Sequence, residues 1–286
     1  MTWHGLVATL PLPYPFDLGF MQRALVACVA VGVFAPMIGT FLVQKRLSLI
    51  GDGIGHVAFA GVGAGLLWGI WPIWTALGFA VVGALGVERL RARRQASGDL
   101  ALALFFFSGI ALGVVLVSRA GGMSANILTY LFGQPLTVTG SEILVIVLLG
   151  AAVAGTVLLL LRALFAVVTD DDWARVAGLP VDLLNSVLAV LTACAVVAAM
   201  RIVGILLIAA MMVLPVASAQ LLARSFRGTI GWAVGIGVAS SVMGLVASRV
   251  WGLAPGGTIV LVCALVFAGL AVATRAVPQV VPGGHG

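Results

Sequence analysis

The sequence predicts an all-α protein, a polytopic transmembrane helix bundle with eight or nine membrane segments. Three observations carry that expectation. Of 286 residues, 62% are hydrophobic and only 8% are charged, against roughly 25% charged in average soluble domains. Mean hydropathy is +1.24, and fifteen basic and nine acidic side chains are too few to cover a water-facing surface of this size. Apolar runs of about 20 residues, the length that crosses the hydrocarbon core as a helix, recur along the whole chain.

Nine candidate segments follow in order. The first, about 20–43, is closed by Lys45 and Arg46. The second, 54–70, is short and glycine-rich and ends at Trp68. The third, 73–90, runs into Arg89, Arg91, Arg93 and Arg94, and the fourth, 99–118, ends at Arg119. The fifth, 141–163, reaches Arg162. The sixth, 184–200, and the seventh, 202–222, are separated only by Met200, Arg201 and Ile202, which suits a broken or re-entrant pair and leaves the count at eight or nine. The eighth and ninth cover 229–249 and 257–275. Alternating these segments puts Lys45, Arg46, Arg89, Arg91, Arg93, Arg94, Arg162, Arg175, Arg224, Arg227 and Arg275 on one side, and only Arg23, Arg119, Arg201 and Arg249 on the other. By the positive-inside rule the N-terminus is then outside and the C-terminus cytoplasmic, with Trp68, Trp71, Trp74 and Trp251 near the outer interface. Gly61/Gly65, Gly65/Gly69, Gly109/Gly113 and Gly231/Gly235 are small-residue pairs at helical spacing, expected to let helices pack closely, within this chain in the first place and across a dimer contact as the alternative. One transmembrane domain, 20–275, is expected between an extracytoplasmic tail, 1–19, and a C-terminal tail, 276–286.

Several function classes are excluded. The basic residues form no dense patch, so the high isoelectric point does not point to nucleic acid. Lys45 is the one lysine and no G-x-x-x-x-G-K surrounds it, so the chain hydrolyses no nucleotide by the P-loop route. Cys28, Cys194 and Cys263 lie within apolar runs without paired spacing and read as buried thiols. His4 and His285 read as solvated tail residues, and Pro11, Pro13 and Pro15 interrupt the first weakly apolar stretch, unlike a cleaved signal peptide.

Ionisable groups in or beside a membrane segment are functional candidates. Asp52 and His56 are four apart, on one face of a helix, and a carboxylate with an imidazole suits Zn²⁺, Mn²⁺ or Fe²⁺. Equally open is that Asp52 caps the second helix and His56 packs against a neighbour. Between the fifth and sixth segments a loop of about 163–183 carries Asp170, Asp171 and Asp172, with Ala174 and Gly178 beyond them. Thr169 or Asp170 can cap a short helix whose first turn favours Asp171 and Asp172, and Gly178 and Pro180 end it. Such a helix suits docking of a soluble partner, or is an ordinary connector. Pro215 removes a backbone bond inside the seventh segment and is expected to kink it.

Taken together, Pro36-Met-Ile-Gly-Thr-Phe-Leu-Val43, Arg46-Leu-Ser, Gly51-Asp-x-x-x-His56, Tyr130-Leu-Phe-Gly133, Asp172-x-Ala174-x-x-x-Gly178, Val203-Gly-Ile-Leu-Leu and Leu214-Pro-Val-Ala-Ser-Ala219 form an ordered set. In these motifs the chain resembles the membrane permease subunit of the ATP-binding-cassette importers for zinc, manganese and iron, over roughly 20–275. The resemblance implies that two permease subunits, a homodimer in the simplest case, form the pathway in a bacterial cytoplasmic membrane. It implies separate cytoplasmic ATPase subunits docked on the 163–183 loop, with Asp170, Asp171, Asp172, Ala174 and Gly178 in the coupling stretch and Gly178 permitting close backbone approach. It implies an extracytoplasmic metal-binding protein, Asp52 and His56 touching the passing cation, and no permanently bound cofactor. Among cargoes zinc is favoured, with manganese or iron as alternatives. The competing readings are a permease of the siderophore or cobalamin importers, and an ion-coupled secondary carrier.

Overall fold

The computed structural model describes residues 14–92, 98–122 and 125–276. Arg93 and Arg94 lie outside the described residues, as do His4, Pro11, Pro13, His285 and the side chain of Arg275. The rest is helical almost throughout: α1 (Gly19–Gln44), α2 (Ile50–Trp68), α3 (Pro72–Ala92), α4 (Gly98–Arg119), α5 (Ala125–Phe132), α6 (Gly140–Leu159), α7 (Leu161–Thr169), α8 (Asp171–Val176), α9 (Val181–Ala199), α10 (Ile208–Leu222), α11 (Phe226–Trp251) and α12 (Pro255–Ala276). Among the described residues, eight helices are long and apolar enough to cross a membrane: α1 to α4, α6, α9, α11 and α12. The all-α bundle expected from composition is present.

The seventh expected segment is corrected. Its helical part, α10, has 15 residues, and residues 200–207 before it form turns. At 1.5 Å per residue α10 is about 22 Å long, short of a hydrocarbon core of about 30 Å. Among the described residues there are therefore eight helices of spanning length, and α10 is a shorter apolar helix, with the break where Met200, Arg201 and Ile202 interrupt the apolar run.

Non-helical backbone inside a membrane bundle needs hydrogen-bond partners, because lipid offers none. Residues 200–207 find them around α5, a helix too short to stand out in hydropathy. The N–H of Gln134 donates to the Arg201 carbonyl (2.9 Å), that of Ile205 to Tyr130 (3.0 Å) and that of Leu206 to Leu131 (3.2 Å). Two glycines let the strands of backbone touch. A Cβ on Gly133 would sit 2.4 Å from the Val203 carbonyl carbon, and one on Gly204 would sit 2.4 Å from the Leu131 oxygen.

A buried ion pair fastens the same region. Arg201 Nε lies 2.8 Å from Glu142 Oε1 and Arg201 Nη2 3.3 Å from Oε2, with the guanidinium 5.0 Å above the Tyr130 ring. Glu142 also completes a capping box, accepting from the Thr139 N–H at 2.9 Å. Removing one member of a buried pair strands the other charge, at a cost of about 3–5 kcal/mol. Arg201→Leu is therefore expected to lower the melting temperature of the detergent-purified protein markedly. An unchanged melting curve would show that the pair contributes nothing.

Burial sorts the spans. Within its most apolar stretch α2 is 78% buried, against 22% for α4 and for α12. α1, α2 and α9 thus form the centre, while α4 and α12 turn outward. Glycines set the closest crossings: a Cβ on Gly61 would lie 2.6 Å from Ala76 Cα of α3, and one on Gly32 of α1 2.8 Å from Val238 Cα of α11. Gly231 and Gly235 do not pack within the chain: both lie on the outward face of α11 and meet nothing within 4 Å, which leaves the dimer-contact alternative for that pair. Trp68, Trp71, Trp74 and Trp251 are exposed where α2 and α11 end and α3 begins. Trp71 and Trp74 meet edge to face at 6.2 Å.

Candidate functional site

Asp52 and His56 are brought together. α2 begins at Ile50 with Leu49 at the cap position, so Asp52 sits in the first turn and does not cap the helix. One turn on, His56 Nε2 lies 3.9 Å from Asp52 Oδ1, with the imidazole 9% exposed and the carboxylate 30% exposed. That separation is too long for a hydrogen bond, so neither group satisfies the other. A cation bound to both at about 2.1 Å per bond would subtend about 136°, and a small rotamer change would bring the angle to tetrahedral or octahedral values. Among the described residues no group of three or more His, Cys, Asp or Glu side chains gathers in a metal-binding arrangement. Two donors alone would make only a weak ion site.

Two residues of α4 stand against the pair. Phe106 of α4 meets the His56 ring edge to face at 4.5 Å between centroids. Gly109, one turn further along α4, lets the two backbones touch: a Cβ there would lie 2.8 Å from the His56 carbonyl carbon and 2.8 Å from the Val57 nitrogen. The small-residue spacing of Gly109 and Gly113 marked the crossing but not the histidine it crosses. Phe106 carried no signal beyond apolarity.

The loop of 163–183 is largely helical, through α7 and α8. Asp170 caps α8, accepting from the N–H groups of Asp172 (2.9 Å) and Trp173 (3.0 Å), and Asp171 and Asp172 occupy its first turn. The C-terminus closes as expected. The Leu179 N–H bonds to the Ala174 carbonyl and the Gly178 N–H to that of Arg175, both at 3.0 Å. Gly178 takes φ +81°, a left-handed conformation suited to glycine. Within the described residues no backbone approaches Gly178 closely, so its requirement in this chain is conformational. Ala174 is fully buried, while Trp173 and Val176 point outward at 62% and 89% exposure. Arg175 pairs with Asp182 at 2.5 Å.

Pro215 lies buried within α10, where its missing N–H withholds a bond from the Met211 carbonyl. It is far in sequence from both other groups, and α1 carries a second internal proline, Pro36.

Lys45 stands just past α1, at its C-cap. Its ammonium is buried, reaches Asn185 Oδ1 of α9, and lies 3.3 and 3.4 Å from the Asp171 carboxylate oxygens of α8. Burial pulls its pKa below the ordinary lysine value, while the charges of Asp171 and Glu88 oppose that shift.

Among the described residues the chain thus sets eight candidate membrane spans around a buried imidazole with a half-buried carboxylate one turn away, and carries a short capped helix, α8, between two of the spans. The chain belongs to the ABC 3 transport family, whose model matches residues 17–274. As a permease subunit of that family it is a multi-pass membrane protein and not itself the ATPase. It is 31% identical over 249 residues to the manganese transport system membrane protein MntC of Listeria innocua, covering 87% of this chain and 89% of that one. To the manganese import system permease protein ScaB of Streptococcus gordonii it is 30% identical over 251 residues, covering 88% and 90%. Among solved structures, PsaBC from Streptococcus pneumoniae in complex with a Fab matches with a TM-score of 0.81 at 30% identity, over 89% of this chain and 91% of that chain. Family membership sets aside the ion-coupled secondary carrier.

Proposed function

We propose that this chain is the membrane permease of an importer for divalent metal ions, with manganese as the principal cargo. The observation that carries the reading is the Asp52–His56 pair, 3.9 Å apart on the most buried helix with neither group satisfied by the other. The oxygen–nitrogen donor set admits Mn²⁺, Zn²⁺ and Fe²⁺. Manganese replaces zinc as the favoured ion because the similar proteins MntC and ScaB are named for manganese transport.

In this reading the end of the bundle carrying the α1–α2 turn, the close of α3 and α8 faces the cytoplasm, with the N-terminus outside. The preponderance of arginine on that side supports it. Cytoplasmic ATPase subunits dock on α8, whose exposed Trp173 and Val176 offer apolar contact area beside Asp172. A metal-binding protein delivers the ion from outside, and a second copy of the chain supplies the other wall of the pathway. ATP-driven closure of the ATPase pair then switches the bundle between outward and inward access.

The test is elemental analysis of whole cells grown under chelation, comparing a deletion strain with its complemented parent. Cellular manganese is expected to fall in the deletion strain and to return with the gene, but not with its Asp52→Ala form. A fall in zinc or iron instead would rename the cargo. No change in any metal, with no second importer present, would overturn the reading.

A further inference from the structure

Long basic side chains at the end of a membrane helix ordinarily run outward, laying the stem on apolar surface and the charge in water. Lys45 does the opposite. Its side chain is only 8% exposed. The ammonium is gripped by groups from two other elements: Asp171 at the start of α8, at 3.3 and 3.4 Å, and Asn185 in the second turn of α9. Glu88, which holds Arg91 at 2.7 Å near the end of α3, adds a second carboxylate to its surroundings. A buried cation is stable only while such partners stay in place.

Both sides of this contact are stiff. α8 is closed at its start by Asp170 and at its end by the paired bonds of Leu179 and Gly178, so a push on its exposed face moves it as a unit. On the other side, Lys45 leads into a turn with no slack. Arg46 is held at φ +58°, and the Leu47 N–H bonds to the Leu42 carbonyl at 2.8 Å. The Ile50 N–H bonds to Leu47 at 3.0 Å and the Asp52 N–H to Leu49 at 3.1 Å. The hydrogen-bonded chain therefore runs from Lys45 into the first turn of α2, where Asp52 stands.

We propose that Lys45 is a positioning residue that carries displacement of α8 into the α1–α2 turn, and so sets the separation of Asp52 and His56. This rests on the importer reading above. The ammonium touches no cargo; it links the docking helix mechanically to the ion-binding pair.

The test uses the permease assembled with its ATPase and metal-delivering protein in lipid vesicles, reading ATP hydrolysed per manganese ion taken up. Lys45→Met and Asp171→Asn are each expected to raise that ratio about tenfold, within the range of ordinary allosteric coupling. The ATPase should still co-purify with Lys45→Met, whose side chain lies off the docking helix. The double variant should be no worse than either single one, and Asp171→Glu, which keeps the charge, should restore the ratio. Asp171 is 44% exposed, so its asparagine form tests the proposal even if Lys45→Met fails to assemble. An unchanged ratio in both variants, or hydrolysis and uptake falling in parallel, would overturn the strut. Absence of ATP-dependent uptake by the unaltered complex would instead overturn the importer reading.

Discussion

Gly109→Ala is expected to separate α2 from α4 and to disable transport, although it adds a single methyl group. The methyl carbon would stand 2.8 Å from the His56 carbonyl carbon and from the Val57 nitrogen. Both are backbone atoms, so no rotamer change relieves the contact and one helix must move. The contact is continuous along the pair: a Cβ on Gly113 would meet Phe59 Cδ1 at 2.4 Å, and one on Gly63 would meet Leu116 Cβ at 3.0 Å. Moving the helices apart at Gly109 therefore loosens packing over several turns. Overfilling a tight interior costs about 1–3 kcal/mol; placed wholly on the transport step, that is about 5–150-fold in rate. The melting temperature in detergent should fall with uptake. Gly155→Ala, on α6 with nothing within 4 Å of its Cβ position, serves as the control and should match the unaltered protein. Equal melting and uptake for Gly109→Ala would show that the α2–α4 crossing is looser than described.

The largest purely functional effect is expected at Asp52 and His56. With two donors in the pair, deleting either leaves one, and a single side chain does not define an ion site. Even partners outside a metal's own ligands are worth about 10–100-fold in affinity, so Asp52→Ala and His56→Ala should each cost about 100-fold or more in manganese uptake. Neither should disturb association with the ATPase, since both side chains lie on α2 and not on α8. A packing role makes a different prediction. If His56 served only to fill the space beside Phe106, 4.5 Å away, His56→Phe would retain uptake and His56→Ala would lower the melting temperature. Uptake lost with melting unchanged assigns the pair to the cargo, and normal uptake by both alanine variants removes that assignment.

Hydropathy located each full span within about four residues, because the burial of an apolar helix in lipid is written residue by residue in its side chains. The α8 region was equally legible: Asp170, the acidic first turn and Gly178 act on their own neighbours, so spacing alone reveals the cap and the stop. Asp52 and His56 were visible for the same reason, as partners one turn apart. What escaped depends on elements meeting in space. Lys45, Asp171 and Asn185 come from three separate stretches, and no local spacing joins them. Arg201 and Glu142 are 59 residues apart, and each alone looks like a stray charge near the end of a span. α5 gives no hydropathy signal and α10 is shorter than its apolar run for one physical reason: short helices supported by neighbouring backbone do not need the apolar length that lipid demands.

The backbone pairing between residues 200–207 and the α5 region bears on how the protein is made. In the folded protein the 15-residue helix is shorter than the hydrocarbon core, and the turns before it cannot stay in lipid unpaired. The Ile205 and Leu206 N–H groups are paired only when Tyr130 and Leu131 are in place to accept from them, and those residues leave the ribosome some seventy positions earlier. Assembly is therefore expected to have an order, with the α5 region as template and α10 as the late arrival. Lesions at Gly133 or Gly204 would then surface during biogenesis, as chains cleared by quality control before any of them carries an ion.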